Sequence, residues 1–176
     1  MPEKIRILIV DDHAVVRKGL AMVLRLEPDF EVVDEAENGK VGLDSARRLN
    51  PDIVLVDLVM PEMDGQEMTL ALRVSHPKIK IMMLTGTEVD DRVFDLIAAG
   101  IEGYVLKNIE PGELVRAIHA VIHGEAYLHP DVMKKIVGKM QYRDTPYVKA
   151  AFVVKDKTLT IPHGEITHCS FKGYFL

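Results

Sequence analysis

Apolar and polar side chains alternate with two different spacings along residues 1–124. Short runs rich in β-branched residues, typical of strands, are each followed by a stretch in which apolar residues recur every three or four positions, as on one face of a helix. The first such stretch carries Val16, Leu20, Val23 and Leu24 on one face. We predict strands at residues 5–10, 31–36, 52–56, 79–84 and 103–106.

Residues suited to helix ends stand where this alternation requires them. Asn38 and Asp64 precede the second and third helices and can cap them, and Glu67 is placed for a capping box with Asp64. Gly100 and Gly124 fall at helix C-termini, where a residue that tolerates positive φ is favoured. The helix boundaries therefore agree with the apolar periodicity.

Five strand–helix units in strict alternation predict an α/β fold with a parallel sheet and helices on both faces. Residues 7–10 and 53–56 are almost continuously apolar, which suits central strands that are buried on both sides. In the flavodoxin-like strand order 2-1-3-4-5, the first and third strands are neighbours at the point where the strand order reverses.

The chain changes character after residue 124. Residues 125–141 contain one more amphipathic segment, which Pro130 can open, and we interpret it as a linker helix leaving the domain. Residues 143–176 show no helical stripe; residues 151–154 and 158–161 can form a hairpin, and disorder is the alternative. The predicted organisation is a domain at 1–124, a linker helix at 125–142 and an atypical tail at 143–176.

Composition sets limits on partners and location. The net charge of -5 argues against a general nucleic-acid-binding surface, and the single Cys169 excludes an internal disulfide. The apolar N-terminal run is too short for a membrane span, so we expect a cytoplasmic protein with no membrane contact. His163, His168 and Cys169 match no recognised zinc spacing, and we attribute their proximity to chance.

Polar residues follow four of the predicted strands. Asp11 and Asp12 follow the first strand, Asp57 the third, Thr85 the fourth and Lys107 the fifth. Each has an ordinary explanation when taken singly, since an aspartate often caps a helix and a lysine is usually solvated. Together they meet at the carboxyl edge of one sheet, which holds the ligand crevice in open α/β folds.

Three converging carboxylates repel one another, and a divalent cation relieves that repulsion. Mg²⁺ suits a site of a few carboxylates, waters and phosphate oxygens. A carboxylate beside such a cation can attack phosphorus, and Asp57 is our candidate nucleophile. Lys107 and Thr85 could then neutralise or hydrogen-bond the equatorial oxygens of the transferring phosphoryl group.

Three segments resemble the receiver domains of bacterial two-component response regulators, most closely the NarL/FixJ (LuxR-type) subfamily. Residues 8–20 (LIVDDHAVVRKGL) are similar to the opening of these receivers. Residues 56–65 (VDLVMPEMDG) resemble their phosphoacceptor loop, and residues 103–108 (GYVLKN) their fifth strand and its lysine. The resemblance covers about residues 4–124, and residues 125–141 also resemble the interdomain helix of that subfamily.

The resemblance implies a CheY-like fold and a set of roles. Asp57 would be the phosphoacceptor, with Asp11, Asp12 and the Val59 carbonyl completing a Mg²⁺ site. Thr85 and Lys107 would contact the phosphoryl group, and Thr85 and Tyr104 would form a switch. A half-exposed aromatic without a switching role is the alternative for Tyr104. Gly86 stands where the family commonly has alanine, and its small size should preserve phosphoryl access.

The resemblance also implies partners. A sensor histidine kinase would supply the phosphoryl group, and the face made by the fourth helix, fifth strand and fifth helix would change, with self-association through it. The output would belong to transcriptional control. We find no helix-turn-helix pattern in the tail, and therefore expect no direct DNA binding by this chain.

Other functions agree less well with the residues of this chain. A haloacid-dehalogenase-like hydrolase places two aspartates one residue apart after the first strand, whereas Asp11 and Asp12 are adjacent. A nucleotide- or flavin-binding domain would carry a glycine-rich phosphate motif, which the chain lacks. A receiver-like interaction scaffold that does not use phosphorylation stays open as the alternative.

Overall fold

The computed structural model describes residues 4–86, 92–142, 153–155, 158–161 and 164–165. In chain order the strands of its main sheet are β1 (Ile5–Val10), β2 (Phe30–Ala36), β3 (Ile53–Asp57), β4 (Lys80–Thr85), β5 (Gly103–Leu106) and β6 (Tyr127–Leu128). The helices are α1 (Ala14–Arg25), α2 (Gly39–Leu49), α3 (Gly65–Ser75), α4 (Val93–Ala98), α5 (Pro111–Ile122) and α6 (Pro130–Tyr142).

The main sheet is parallel throughout, with the order β2-β1-β3-β4-β5-β6. The predicted α/β class, the doubly wound architecture and the order 2-1-3-4-5 are confirmed. The prediction of five strands is wrong by one, because Gly103 and Tyr104 of β5 pair with Tyr127 and Leu128. A two-residue strand is too short to show a hydrophobic period, which is why the sequence pattern did not reveal β6.

Two apolar clusters lie on opposite faces of the sheet. Leu8 and Val10 point to the face covered by α2, α3, α4 and α6, whereas Ile7 and Ile9 point to the face covered by α1 and α5. The central strand β3 is buried along its whole length. Side chains alternate across a strand, so each strand supplies both clusters and fixes helices on both sides.

The helix α6, which the sequence analysis interprets as a linker, packs its apolar face on the domain. Val132 and Ile136 are fully buried, and Met133 nearly so, in the cluster that also contains Tyr104 and the buried residues of α4. The preceding strand β6 holds the start of α6 in place, since the His129 amide donates to the Tyr104 carbonyl over 2.9 Å. The apolar periodicity predicted the helix α6 correctly, whereas the surface that α6 covers did not follow from the sequence pattern.

Helix ends follow the predicted capping. The Asn38 side chain accepts from the Val41 amide, and Asp64 and Glu67 form a reciprocal capping box. Gly100 and Gly124 have φ values of 94° and 91°. These contacts satisfy polar groups that a helix end leaves without partners.

The tail contains a small sheet of its own. The strand β7 (Val153–Lys155) pairs antiparallel with β8 (Thr158–Ile161), and β9 (Gly164–Glu165) adds to the other side of β8. The residues expected to form a hairpin are thus paired where they are described. His163, His168 and Cys169 lie outside the described residues.

Among the described residues, no helix has the length and apolar character needed to cross a bilayer.

Candidate functional site

The carboxyl ends of β1, β3, β4 and β5 meet at one edge of the sheet. Val10 pairs with Val56 and Asp57 with Leu84, so that Asp11 and Asp57 end neighbouring strands at the same level. The Lys107 amide donates to the Thr85 carbonyl over 2.7 Å, which continues the β4–β5 ladder by one residue. The parallel register therefore brings together side chains that lie up to 96 positions apart in the chain.

The third helix approaches this edge closely because of a glycine. A Cβ atom at Gly65 would lie 2.4 Å from the Asp57 carbonyl oxygen, a distance that real Cβ atoms do not tolerate. The Gly65 amide donates to the Leu58 carbonyl over 3.1 Å, and the Leu58 amide donates to Leu84 over 2.9 Å. The loop after Asp57 is therefore fastened at both ends.

The Lys107 ammonium joins two of the aspartates. Its Nζ atom lies 2.8 Å from Asp11 Oδ2 and 2.8 Å from Asp57 Oδ2. The Asp11 side chain is wholly buried, that of Asp57 is 5% exposed and that of Lys107 is 16% exposed. One cation thus faces two buried carboxylates, which leaves an excess of negative charge at this point.

The pKa values at this cluster are shifted by burial and by the neighbouring charges. Burial raises the pKa of the Asp57 carboxyl above its usual 3.8, and the Lys107 ammonium opposes this rise. The negative charge of Asp11 raises the pKa further, whereas a hydrogen bond from the Val59 amide lowers it. Burial lowers the pKa of Lys107, but its contacts with the negative carboxylates of Asp11 and Asp57 outweigh burial and raise the pKa above its usual 10.5. Lys107 therefore stays charged, and a second cation nearby would favour ionised Asp57.

The ligand atoms offered by Asp11, Asp12, His13 and Asp57 lie within 4.8 Å of one another. Asp11 Oδ2 is buried and, within the described part of the chain, has its ion pair to Lys107 but no hydrogen bond. Hard carboxylate oxygens at this spacing are the donor set that Mg²⁺ prefers. The residues present therefore fit a magnesium ion.

Thr85 and Gly86 stand at the same edge. Thr85 is 5% exposed, ends β4 and pairs with Leu106, the residue before Lys107. Among the described residues, no atom would lie within 4 Å of a Cβ at Gly86, so they leave space for a small group beside it.

Tyr104 lies on β5 and pairs with Met83, two register positions from Thr85 along the ladder. Its side chain is 0% exposed and belongs to the cluster that holds α4 and α6. The partial exposure expected in the alternative for Tyr104 is therefore wrong, and Leu128 of β6 pairs with it. Val59, in contrast, is 62% exposed two residues after Asp57.

Two residues that the sequence analysis did not place in this site contact it. The His13 imidazole Nδ1 lies 2.7 Å from Asp12 Oδ1 and 3.5 Å from Asp11 Oδ1. The Arg17 guanidinium donates to the Asp11 carbonyl over 2.5 Å. A basic residue near a helix N-terminus opposes the helix dipole, and this unusual placement was the available signal for Arg17.

Comparison with known proteins assigns this chain to a family. The profile of the response regulator receiver domain matches residues 7–119. The response regulator protein VraR of Staphylococcus aureus is 36% identical over 143 residues, which are 81% of this chain and 68% of VraR.

Solved structures of response regulators are also similar to this chain. A LuxR-family two-component response regulator from Aurantimonas sp. SI85-9A1 is 32% identical with a TM-score of 0.74, and the match covers 79% of this chain and 99% of that one. The receiver domain of a response regulator named NarL from Mycobacterium tuberculosis is 30% identical with a TM-score of 0.67, over 70% of this chain and all of that one.

Proposed function

Because this chain belongs to the response regulator receiver family, with relatives of the LuxR and NarL type, we propose that it is a phosphorylation-dependent switch whose phosphoacceptor is Asp57. One observation carries the proposal: Asp11, Asp12 and Asp57 converge at the sheet edge with Lys107 Nζ 2.8 Å from both buried carboxylates. That set offers a carboxylate that can act as a nucleophile, ligand atoms that suit a cation and the positive charge of Lys107.

Mg²⁺ is the proposed cofactor, held by Asp11, Asp12, Asp57 and the Val59 carbonyl. When bound it would supply positive charge to the oxygens of the transferring phosphoryl group. Lys107 would share that task, and the 2.8 Å contact between its Nζ atom and Asp57 Oδ2 supports this role.

In the proposed transfer, an Asp57 carboxylate oxygen forms a bond to phosphorus. The bond from phosphorus to the donor breaks, and its electron pair leaves with the donor, which is a phosphohistidine of a sensor histidine kinase or a small acyl phosphate. Lys107 neutralises one equatorial oxygen and the Thr85 hydroxyl donates to another. The chain is a phosphoacceptor with at most self-phosphorylation and self-dephosphorylation activity, rather than an enzyme acting on other substrates.

The proposed switch joins Thr85 to Tyr104 and alters the face made by α4, β5 and α5. Since β6 pairs with β5, self-association at this face would also involve β6 and α6. We propose a cytoplasmic role within transcriptional regulation and no direct DNA binding by this chain. The proposed domain runs over 1–124 with α6 packed upon it, and 143–176 form a separate tail.

Intact-mass spectrometry after incubation with Mg²⁺ and acetyl phosphate tests the proposal. We expect one added phosphoryl group in the parent and none in Asp57→Asn. Asp44→Asn is the matched control, because Asp44 has a side chain 73% exposed on α2 and should leave the adduct unchanged. A chelator should abolish the adduct in every variant.

The outcomes separate the proposal from its alternative. An adduct that needs both Asp57 and Mg²⁺ supports the phosphoacceptor function. No adduct in the parent, even after rapid quenching, contradicts it and favours an interaction scaffold that does not use phosphorylation.

A further inference from the structure

Every polar atom of Asp11 has a named contact. Its amide donates to the Ala36 carbonyl over 3.1 Å, Oδ1 accepts from the His13 amide over 2.8 Å, and Oδ2 pairs with Lys107. Its carbonyl oxygen accepts from Arg17 Nη1 over 2.5 Å. The first three contacts come from strand pairing, from the adjacent backbone and from Lys107. The contact to the Asp11 carbonyl comes from Arg17, a side chain on α1.

The Arg17 side chain is itself held in place. It is 13% exposed, and its Nε atom lies 4.0 Å from Glu35 Oε2, on a glutamate that is 11% exposed. Glu35 is the register neighbour of Ile9 at the end of β2, so it is fixed by the sheet. A chain of contacts thus runs from β2 through Glu35 and Arg17 to the carbonyl of Asp11.

The Asp11 carbonyl belongs to the peptide that leads into Asp12. Asp11 makes the last ladder hydrogen bond of β1, and Asp12 is not part of a strand. Fixing the Asp11 carbonyl fixes the plane of the next peptide, because a peptide unit is rigid. The direction in which Asp12 leaves the strand therefore depends on Arg17.

We propose that Arg17 is a positioning residue for cation binding at the acidic pair. Its guanidinium holds the Asp11–Asp12 peptide in the orientation that lets Asp12 join Asp11 and Asp57 around a divalent cation. The inference rests on the proposed function, since it concerns the same site, but it is tested by cation binding and not by phosphorylation.

The direction of the change in Mg²⁺ affinity distinguishes a positioning role of Arg17 from an effect of its charge. Arg17 is a cation near a cation site, so removing its charge should tighten Mg²⁺ binding if charge were its contribution. If it positions the loop, its removal should weaken binding, and loss of a residue that orients a ligand typically costs 10–100-fold in metal affinity. The two roles therefore predict opposite changes.

Titration calorimetry of the full chain with Mg²⁺, without a phosphodonor, provides the test. We expect Arg17→Gln to weaken Mg²⁺ binding by about 10-fold. Arg17→Lys should fall between this variant and the parent, because one ammonium cannot keep the same reach to the Asp11 carbonyl while facing Glu35. Arg25→Gln is the matched control: Arg25 pairs with the same Glu35 at 3.0 Å but lies at the far end of α1.

A second measurement keeps the test valid in metal-free protein. The His13 amide, which donates to Asp11 Oδ1, should exchange with solvent faster in Arg17→Gln than in Arg25→Gln. If circular dichroism shows that Arg17→Gln does not fold, Mg²⁺ binding and exchange of the His13 amide are both measured in Arg17→Lys instead.

Four results would overturn the inference: unchanged or tighter Mg²⁺ binding in Arg17→Gln, an equal loss in Arg25→Gln, parent-like binding in Arg17→Lys, or no Mg²⁺ binding by the parent. Failure of the phosphoacceptor proposal looks different, since the parent would bind Mg²⁺ in an Arg17-dependent way and yet form no adduct.

Discussion

Burial and neighbouring polar groups act in opposite directions on the pKa of the Asp57 carboxyl. The Asp57 carboxyl is raised in pKa by burial, while Lys107 and the Val59 amide counteract that rise. The side chain of Val59 takes no polar part in this balance, because it is an aliphatic group that is 62% exposed beside the site. The same residue thus acts on Asp57 through its backbone, while its side chain faces solvent.

The first residue-scale prediction concerns the lifetime of the acyl phosphate. Val59 cannot hold an attacking water by a side-chain hydrogen bond, so we expect slow hydrolysis of phosphorylated Asp57. Val59→Asn should shorten the lifetime, and Val59→Thr should have a smaller effect because its hydroxyl has a shorter reach. Phosphate loss followed by intact mass after removal of the donor measures both, and an unchanged lifetime in Val59→Asn would refute the idea.

Glu62 has a left-handed backbone with φ of 66°, in the loop between β3 and α3. This conformation costs roughly 1–2 kcal/mol for a residue with a Cβ atom, whereas glycine adopts it freely. We expect Glu62→Gly to raise the free energy of unfolding by about 0.5–1 kcal/mol, measured by urea denaturation. Glu110→Gly is the control with φ of -64° and should not be stabilising; equal effects at the two positions would count against the strain.

At the scale of elements, ion pairs fasten helices to strand ends at both edges of the sheet. Glu35 at the end of β2 meets Lys18 at 3.0 Å and Arg25 at 3.0 Å, both on α1. Near the opposite edge, Arg73 of α3 lies 2.6 Å from Glu102, which also accepts from the Ile81 amide over 2.8 Å. Each glutamate therefore ties one helix to the sheet, Glu35 near the end of β2 and Glu102 just before β5 begins.

The Glu35 contacts predict a particular dependence of stability on acid. Burial raises the pKa of Glu35, but the hydrogen bonds and charges of Lys18 and Arg25 outweigh it and hold the pKa below its usual 4.5. A lowered native pKa gives stability that is complete above pH 4.5 and is lost as the pH falls through the native value. Glu35→Gln should therefore be less stable at neutral pH, by about 1–2 kcal/mol, and less sensitive to acid.

Urea denaturation at several values between pH 3 and pH 7 measures this effect. Glu31→Gln provides the control, because Glu31 is exposed on the same strand. If the parent and Glu35→Gln lost stability in parallel as the pH fell, the ion pairs of Glu35 would not be responsible for the acid sensitivity.

At the scale of the whole molecule, β6 and α6 extend the sheet beyond the fifth unit. They close the edge of β5 and bury Tyr104 within a continuous apolar cluster. The Tyr127 hydroxyl also donates to Glu113 Oε1 over 2.5 Å, which ties β6 to α5. A partner approaching the proposed switching face therefore meets this last unit first.

This arrangement predicts that the β6–α6 unit can open while the central sheet stays closed. Ile136→Ala removes a fully buried side chain, and such truncations cost about 2–5 kcal/mol. Amide exchange at Tyr127 and His129 should become faster, with little change at Ile9 and Leu55. Lys134→Ala, whose side chain is 79% exposed, is the control; uniform acceleration across the sheet would show instead that the unit opens only with the whole domain.

The sequence determined the fold class and the set of candidate site residues, whereas the strand order was expected by analogy with flavodoxin-like folds. Strand and helix periods are local properties, and so are the caps at Asn38 and Asp64, which is why both could be predicted. The positions of Asp11, Asp57 and Lys107 at strand ends followed from the parallel register alone. Their convergence on one edge needed no knowledge of packing.

The tertiary structure decided what depends on contacts between distant segments. The two residues of β6 carry no period, and they form a strand because β5 offers them an unpaired edge. The surface that α6 covers depends on where β6 places its first turn, and the complete burial of Tyr104 follows from that cover. The role inferred for Arg17 depends on a bond to a backbone carbonyl, an atom that every residue possesses and that sequence therefore cannot distinguish.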